Sequence, residues 1–312
     1  MRSLQIDRRT WETANVRRHS YRYQRTISRQ VELTGIGFLT GASVRLRFRP
    51  APPSTGVIFL RTDLSPVQHI PARVHKVTAT SRRTTLGRGP AQVALVEHVL
   101  AALAGLRIDN CFVEINAPEP PGCDGSAQRF VETLRQGGVV LQPARRTIWC
   151  VDSPVVVAHN GATLTLHPLP RDGLTITYLL DYGPNSPIGR QAHTEPITPE
   201  SFANDLAGCR TFILESEIME LRQQGLGART TTADLLVFGA RGPVDNSLRY
   251  ANEPARHKVL DLVGDLSLLN HDVHGHVVAY RSGHQLNIEL VRTLARQLGN
   301  ESCACKTQKL AA

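Results

Sequence analysis

No stretch of this 312-residue chain approaches the ~20 consecutive apolar residues of a membrane span. Nor do the first 25 residues hold an apolar run long enough for a signal peptide. An integral membrane segment is therefore not expected, nor is export by that route. Cysteine is scarce and scattered: of the six, at 111, 123, 150, 209, 303 and 305, only Cys303 and Cys305 lie close together, with no matching second pair. That excludes a disulfide framework and a zinc ribbon and points to a reducing, cytoplasmic setting. Disorder-type composition is missing as well, since 41% of residues are hydrophobic and 20% charged, with the apolar ones dispersed.

What is present is length enough for two cores. The formal charge is +9, which could signal nucleic acid, an anionic membrane surface or a phosphorylated substrate. Much of the excess is local, however, in Arg2, Arg8, Arg9, Arg17, Arg18, Arg22 and Arg25. Residues 1–22 read as a basic flexible leader, and no nucleic-acid partner is expected.

After the leader the hydrophobic period is that of strands in "QVELTGIGFLTG", "SVRLRFRPA" and "TGVIFLRTD". It then changes: "AQVALVEHVLAALAGL" predicts a helix of about 15 residues, "DNCFVEINAP" a strand, and "DGSAQRFVETLRQGG" a second helix capped by Asp124 or Ser126. The second half repeats the order, with strands in "TIWCVDSPVVVAHNGATLTLHPLP" and "LTITYLLDY", a long helix in "EPARHKVLDLVGDLSLL", the strand "HGHVVAYRSG" and the helix "HQLNIELVRTLARQ". Duplication of one sheet-plus-helices unit is the economical reading. It predicts an α+β fold of two similar domains, each a mainly antiparallel sheet packed with helices, at 23–143 and 144–300. The second carries an insert at 210–244, and 301–312 form a tail. Insertions of that length in a compact domain are functional or disordered.

His257, Asp261 and Asp265 lie at helical spacing among apolar neighbours, so the polar edge of their helix must meet water, a partner or a cation. The first half places Glu97 and His98 at the corresponding point of its own apolar helix. If the repeats face each other, His98, His257 and Asp261 converge as two imidazoles and a carboxylate, the donor set of a catalytic zinc site with one position open. Glu97, about 100° around the helix from His98, then suits a general base. His284 opens the last helix, where the helix field disfavours its protonation unless a carboxylate compensates; Asp265 is the obvious partner, and the pair suits an acid or electrostatic clamp. His271, His274 and His276 read as loop and strand surface residues.

With these residues assembled, the chain resembles the UDP-3-O-acyl-N-acetylglucosamine deacetylases, zinc hydrolases of lipid A biosynthesis. The resemblance runs from residue 24 to about Leu298 through "VEHVLAALAGLRIDN", "PEPPGCDGSA", "CRTF", "LRYANEPARHKVLDLVGDL" and "YRSGHQLN". It implies an active site between the two domains, with His98, His257 and Asp261 holding one zinc ion, Glu97 as the base, and His284 oriented by Asp265. It also implies an oxyanion contact from Thr211, substrate contacts from Phe212 and Lys258, and an acyl passage formed by the insert, for which Ile213, Leu214, Ile218 and Leu221 are the candidate lining. The implied partner is a UDP-linked acylated amino sugar, and the protein is expected to be a cytoplasmic monomer. Three loops depart from the family pattern: Leu39 replaces a usual histidine in "GIGFLTG", "DYGPNSPIG" lacks a His-Pro pair, and "GARTTTADLLVFG" replaces a Gly-Gly-Ser segment. These leave acyl-chain length and the exact sugar nucleotide open. A zinc amidase acting on a different N-acetylated sugar conjugate, and a non-catalytic anion-binding protein relying on the leader, are the competing readings.

Overall fold

The computed structural model describes residues 16–308, with side chains described as far as residue 299. Residues 1–15 of the predicted leader and 309–312 of the tail lie outside the described residues. In chain order the first half runs β1 (Val16–Ile27), β2 (Val31–Ile36), β3 (Ser43–Pro50), β4 (Val57–Arg61) and β5 (Gln68–Pro71). There follow β6 (Val77–Ala79), β7 (Thr85–Arg88), β8 (Ala91–Val93), α1 (Glu97–Gly105), β9 (Cys111–Ile115) and α2 (Gln128–Gln136). The second half opens with β10 (Val139–Val151), β11 (Val155–His159), β12 (Ala162–His167), β13 (Leu174–Leu180), β14 (Gln191–Pro196) and the single turn α3 (Pro199–Ser201). It closes with β15 (Phe212–Leu214), α4 (Glu215–Gln223), β16 (Leu236–Gly239), β17 (Gly242–Pro243), α5 (Glu253–Ser267), β18 (Asp272–Tyr280) and α6 (His284–Gln308).

The duplication is visible in the strand order. The first sheet runs β2-β3-β9-β4-β5, with β9 antiparallel to β3 and parallel to β4. The second repeats this as β11-β12-β18-β13-β14, with β18 antiparallel to β12 and parallel to β13. In both copies the central strand lies between a preceding helix (α1, α5) and a following one (α2, α6). The fold is α+β, with mainly antiparallel sheets packed with helices.

Three boundaries differ from expectation. Residues 16–22, assigned to a flexible leader, form the first half of β1, which pairs antiparallel with β10 and so joins the second sheet although it opens the chain. The expected boundary at 143/144 sits inside that same ladder, which passes Pro143 by a register shift opposite Gln24. The tail is not separate either, because the backbone of α6 continues to Gln308. The predicted 15-residue helix is also shorter, since Ala91–Val93 pairs with β7 and Leu95 adopts a left-handed backbone, φ 54°, that no helix continues through. An apolar run without clear periodicity fits a buried strand as well as a helix.

What remains of that run, α1, is buried at every residue but Ala104. A helix apolar all round must be covered on all sides, and α5 supplies one side. The contact is close because Gly264 lies against the backbone of Glu97: a Cβ at that glycine would stand 2.2 Å from the Glu97 carbonyl oxygen. The same packing fixes the first turn of α1 beside the middle of α5, which is where the titratable side chains are.

Candidate metal centre and active site

His98 leaves the first turn of α1, and His257 and Asp261 leave α5 one turn apart. Asp261 Oδ1 stands 3.3 Å from His257 Nε2 and 3.5 Å from His98 Nε2. The two imidazoles meet edge to face, with ring centroids 5.0 Å apart, and all three donor atoms lie within 4.8 Å of one another. The residues that sequence spacing brought together on paper are thus together in space.

Whether they suit a metal is decided by their remaining contacts. His257 Nδ1 is 3.0 Å from the Cys209 carbonyl oxygen, to which it can only donate, so Nε2 carries the lone pair. Lys258 Nζ donates to Asp261 Oδ2 at 3.0 Å, leaving Oδ1 facing the histidines. His257 Nε2 and Asp261 Oδ1 are both buried and without any hydrogen-bond partner. Two orphaned acceptors side by side would cost several kcal/mol in an apolar interior, and a cation between them removes that cost. Donor atoms bound at about 2.0–2.2 Å in a tetrahedron stand roughly 3.3–3.6 Å apart, and the two Asp261 distances fall in that range. The donor set fits zinc. Burial opposes ionisation of Asp261, but His257 and Lys258, and less strongly His98, hold its carboxyl well below the usual carboxylate range. Burial pushes His98 down, toward the neutral imidazole that a metal requires.

A second cluster, His19, Asp172 and His274, brings three donors equally close. It does not suit a metal. His274 Nδ1 accepts from the Gly173 N–H at 2.9 Å, and Nε2 donates to the Leu169 carbonyl at 2.9 Å, so neither nitrogen is free. His274 is buried rather than on the surface as expected, its ring stacked on His19.

Beside these three residues stand two further groups. Glu97 is buried, and its Oε2 accepts the Thr84 N–H at 3.0 Å while Oε1 lies 3.9 Å from His284 Nε2. Burial, with smaller contributions from Asp261 and Asp265, raises its pKa to about 7. His284 begins α6, and its Nδ1 stands 2.8 Å from Asp265 Oδ2. Burial opposes its protonation, but Asp265 and Glu97 outweigh burial and raise its pKa to about 9. The surrounding carboxylates thus favour the protonated form of His284. Asp265 also accepts from Thr84 Oγ1 at 2.6 Å and from Asn287 Nδ2 at 2.9 Å. Neither Thr84 nor Asn287 was singled out in the sequence, since a threonine in "SRRTT" and an asparagine in a helix carry no local signal of what tertiary contact will give them.

The substrate-side residues sit around a cavity of about 760 Å³ that reaches from Glu97, His98 and Asp261 to the insert. Thr211, Phe212, Ile213, Leu214, Ile218, Leu221 and Lys258 all line it. The Phe212 and His257 rings meet edge to face with centroids 6.3 Å apart, and Lys258 Nζ lies 5.4 Å from the Phe212 ring centroid. Lys258, expected as a substrate contact, has its ammonium committed to Asp261, which raises its pKa despite burial. Thr211 is held by its backbone, donating to Gly125 O at 2.8 Å, and by its neighbour Arg210, which clamps the buried Glu253. The insert folds as β15, α4 and β16, and Arg82 in the first half pairs with Glu217 of α4 at 2.9 Å across the cavity mouth. The altered loops meet one another: Thr230 Oγ1 donates to Phe38 O, and Arg229 Nη1 to Gly41 O.

A histidine and an aspartate with orphaned acceptor atoms, a second imidazole beside them, and a buried glutamate and histidine–aspartate pair next to a cavity define the class of metal-dependent hydrolases. Residues 24–296 match the family model described as UDP-3-O-acyl N-acetylglycosamine deacetylase. The chain belongs to that family. It is 39% identical over 279 residues to the UDP-3-O-acyl-N-acetylglucosamine deacetylase of Chlamydia pneumoniae, covering 89% of this chain and 98% of the relative. With the enzyme of the same name from Thermosynechococcus vestitus it shares 40% over 274 residues, 88% of this chain and 94% of the relative. For that from Trichormus variabilis the figures are 38% over 276 residues, 87% and 98%.

Proposed function

We propose that this chain hydrolyses the N-acetyl group of a UDP-3-O-acyl-N-acetylglucosamine, releasing acetate and the free sugar amine for lipid A biosynthesis, with one zinc ion held by His98, His257 and Asp261. The carrying observation is the pair of buried, unpartnered acceptors, His257 Nε2 and Asp261 Oδ1, beside a cavity that Asp261 and His98 line. Bound there, zinc would polarise the acetamide carbonyl and make water a better acid.

The protein's own groups do the remaining work. Glu97, poised near neutrality by burial, takes a proton from the attacking water as it adds to the carbonyl carbon. His284, protonated because Asp265 backs it, and the Thr211 side chain face the negative charge that develops on the carbonyl oxygen. Collapse breaks the C–N bond, and Glu97 or His284 delivers the proton to the departing amine. Ile213, Leu214, Ile218 and Leu221 offer the acyl chain an apolar wall. Arg82 and Arg281, which line the cavity away from the metal site, suit a diphosphate. No helix among the described residues is long and apolar enough to cross a membrane; we place the enzyme in the cytoplasm, as a monomer.

The test is metal analysis of the purified protein joined to a deacetylase assay on the UDP sugar carrying acyl chains of several lengths. Stoichiometric zinc and turnover of the UDP-linked substrate far above that of free N-acetylglucosamine support the proposal. Full activity after metal stripping, or preference for an N-acetylated conjugate lacking UDP, would overturn it.

A further inference from the structure

We propose that Thr84 is a positioning residue that joins the base to the histidine–aspartate pair and sets the distance between them. This inference rests on the roles assigned above to Glu97 and His284. Thr84 is fully buried and immediately precedes β7 in the first half, 181 residues from Asp265. Its backbone N–H donates to Glu97 Oε2 at 3.0 Å. Its hydroxyl donates to Asp265 Oδ1 at 2.6 Å, and the same oxygen lies 3.3 Å from His284 Nδ1.

A hydroxyl has one proton and two lone pairs. The short contact to a carboxylate oxygen, which can only accept, claims the proton. A lone pair of Oγ1 then faces His284 Nδ1, which also lies 2.8 Å from Asp265 Oδ2. With its proton on Nδ1 donated between Asp265 Oδ2 and Thr84 Oγ1, the imidazole cannot rotate without losing both partners, and Nε2 stays aimed toward Glu97 Oε1, 3.9 Å away. Among the described residues Thr84 alone hydrogen-bonds both Glu97 and Asp265. One residue thus ties the carboxylate on α1 to the pair formed by α5 and α6. Asn287 Nδ2 donates to the other Asp265 oxygen, Oδ2, which also faces His284 Nδ1.

The test compares Thr84→Val, which keeps shape, β-branching and the backbone N–H but removes the hydroxyl, with Thr84→Ser, which restores the hydroxyl alone. In the zinc-loaded full-length protein, Thr84→Val should lower kcat roughly 10- to 100-fold, the range for a lost hydrogen bond to a charged group. KM and zinc content should stay within about twofold of the parent, and Thr84→Ser should recover most of kcat. A threonine that merely supports the fold would lower Tm and leave the kcat of the folded fraction at the parental value. Parental kcat in Thr84→Val, equal damage in Thr84→Ser, or a loss confined to KM would each overturn the assignment. A second readout does not depend on turnover: the hydrogen-bonded Nδ1 proton of His284, observed by proton NMR in the same proteins. It should shift or broaden in Thr84→Val and return in Thr84→Ser; an unchanged signal in Thr84→Val also overturns the assignment. Absence of deacetylation by the unsubstituted protein would instead strike the proposed function, with the NMR comparison still deciding the role of Thr84.

Discussion

Gly264→Ala tests the packing that makes the site. On helix propensity alone, alanine at an interior position of α5 should stabilise the chain by about 1 kcal/mol. The structure predicts the opposite sign. The added Cβ would stand 2.2 Å from Glu97 O, 3.0 Å from its carbonyl carbon and 3.2 Å from its Cα. The shortest of these is roughly 1.2 Å inside ordinary contact. The opposing atoms are backbone, so no rotamer change relieves the overlap; α1 and α5 must separate by about 1 Å or the first turn of α1 must shift. Overpacking of this kind costs about 1–3 kcal/mol or more, so, set against the propensity gain, the net expectation is a loss of up to about 2 kcal/mol. The chemistry should suffer further, because Glu97 and His98 move relative to His257 and Asp261, and a misplacement of about 1 Å can cost on the order of 100-fold in rate. Calorimetry of the zinc-loaded variant, with kcat and KM on the UDP sugar, measures both effects. A variant as stable as the parent or more so, with parental kcat, would refute the claim that this glycine sets the distance between the helices.

Other expectations follow from single contacts. The pH dependence of kcat/KM should be bell-shaped: activity falls on the acid side as Glu97 gains a proton, at or below about 7 because a bound dication lowers its pKa further, and on the basic side as His284 loses its proton near 9. Activity that rises as pH falls below 6 would contradict the assignment. Glu97→Ala should retain zinc and lose nearly all turnover, whereas His257→Ala should lose both, as metal analysis and the deacetylase assay would record. Arg210→Met should destabilise the protein by about 3–5 kcal/mol in denaturant titration, because it strands the buried Glu253 carboxylate. Chelation should abolish turnover and lower Tm, and zinc at about 100 times its Kd should restore about 2.7 kcal/mol.

Much of the site was legible in the linear sequence because helical spacing is local. His257 and Asp261 are one turn apart whatever the rest of the chain does, and Glu97 and His98 recur at the matching place in the other repeat. Duplication then supplied the long-range step, since similar units tend to pack in related ways. Positions that depend on a single long-range contact were not legible. Nothing near Thr84 announces that its hydroxyl meets a carboxylate 181 residues away. The Lys258–Asp261 pair, by contrast, is an i,i+3 contact on one helix that the spacing does contain. The apolar stretch before Glu97 misled because short buried strands and helices share one composition, and the leader was placed too long because an Arg-rich strand such as β1 reads as a charged tail until its partner is known.

By itself, then, the sequence determined the residue types, the helical registers that pair them and the repeated order of elements, all consequences of side-chain chemistry and backbone period. Tertiary structure alone decided that β1 joins the second sheet, that α1 begins at Glu97, and that His257 Nε2 and Asp261 Oδ1 face each other without partners. Those outcomes depend on which surfaces find each other across the chain: strand pairing and the close approach at Gly264 are satisfied between distant segments, and no local window contains both sides of the contact.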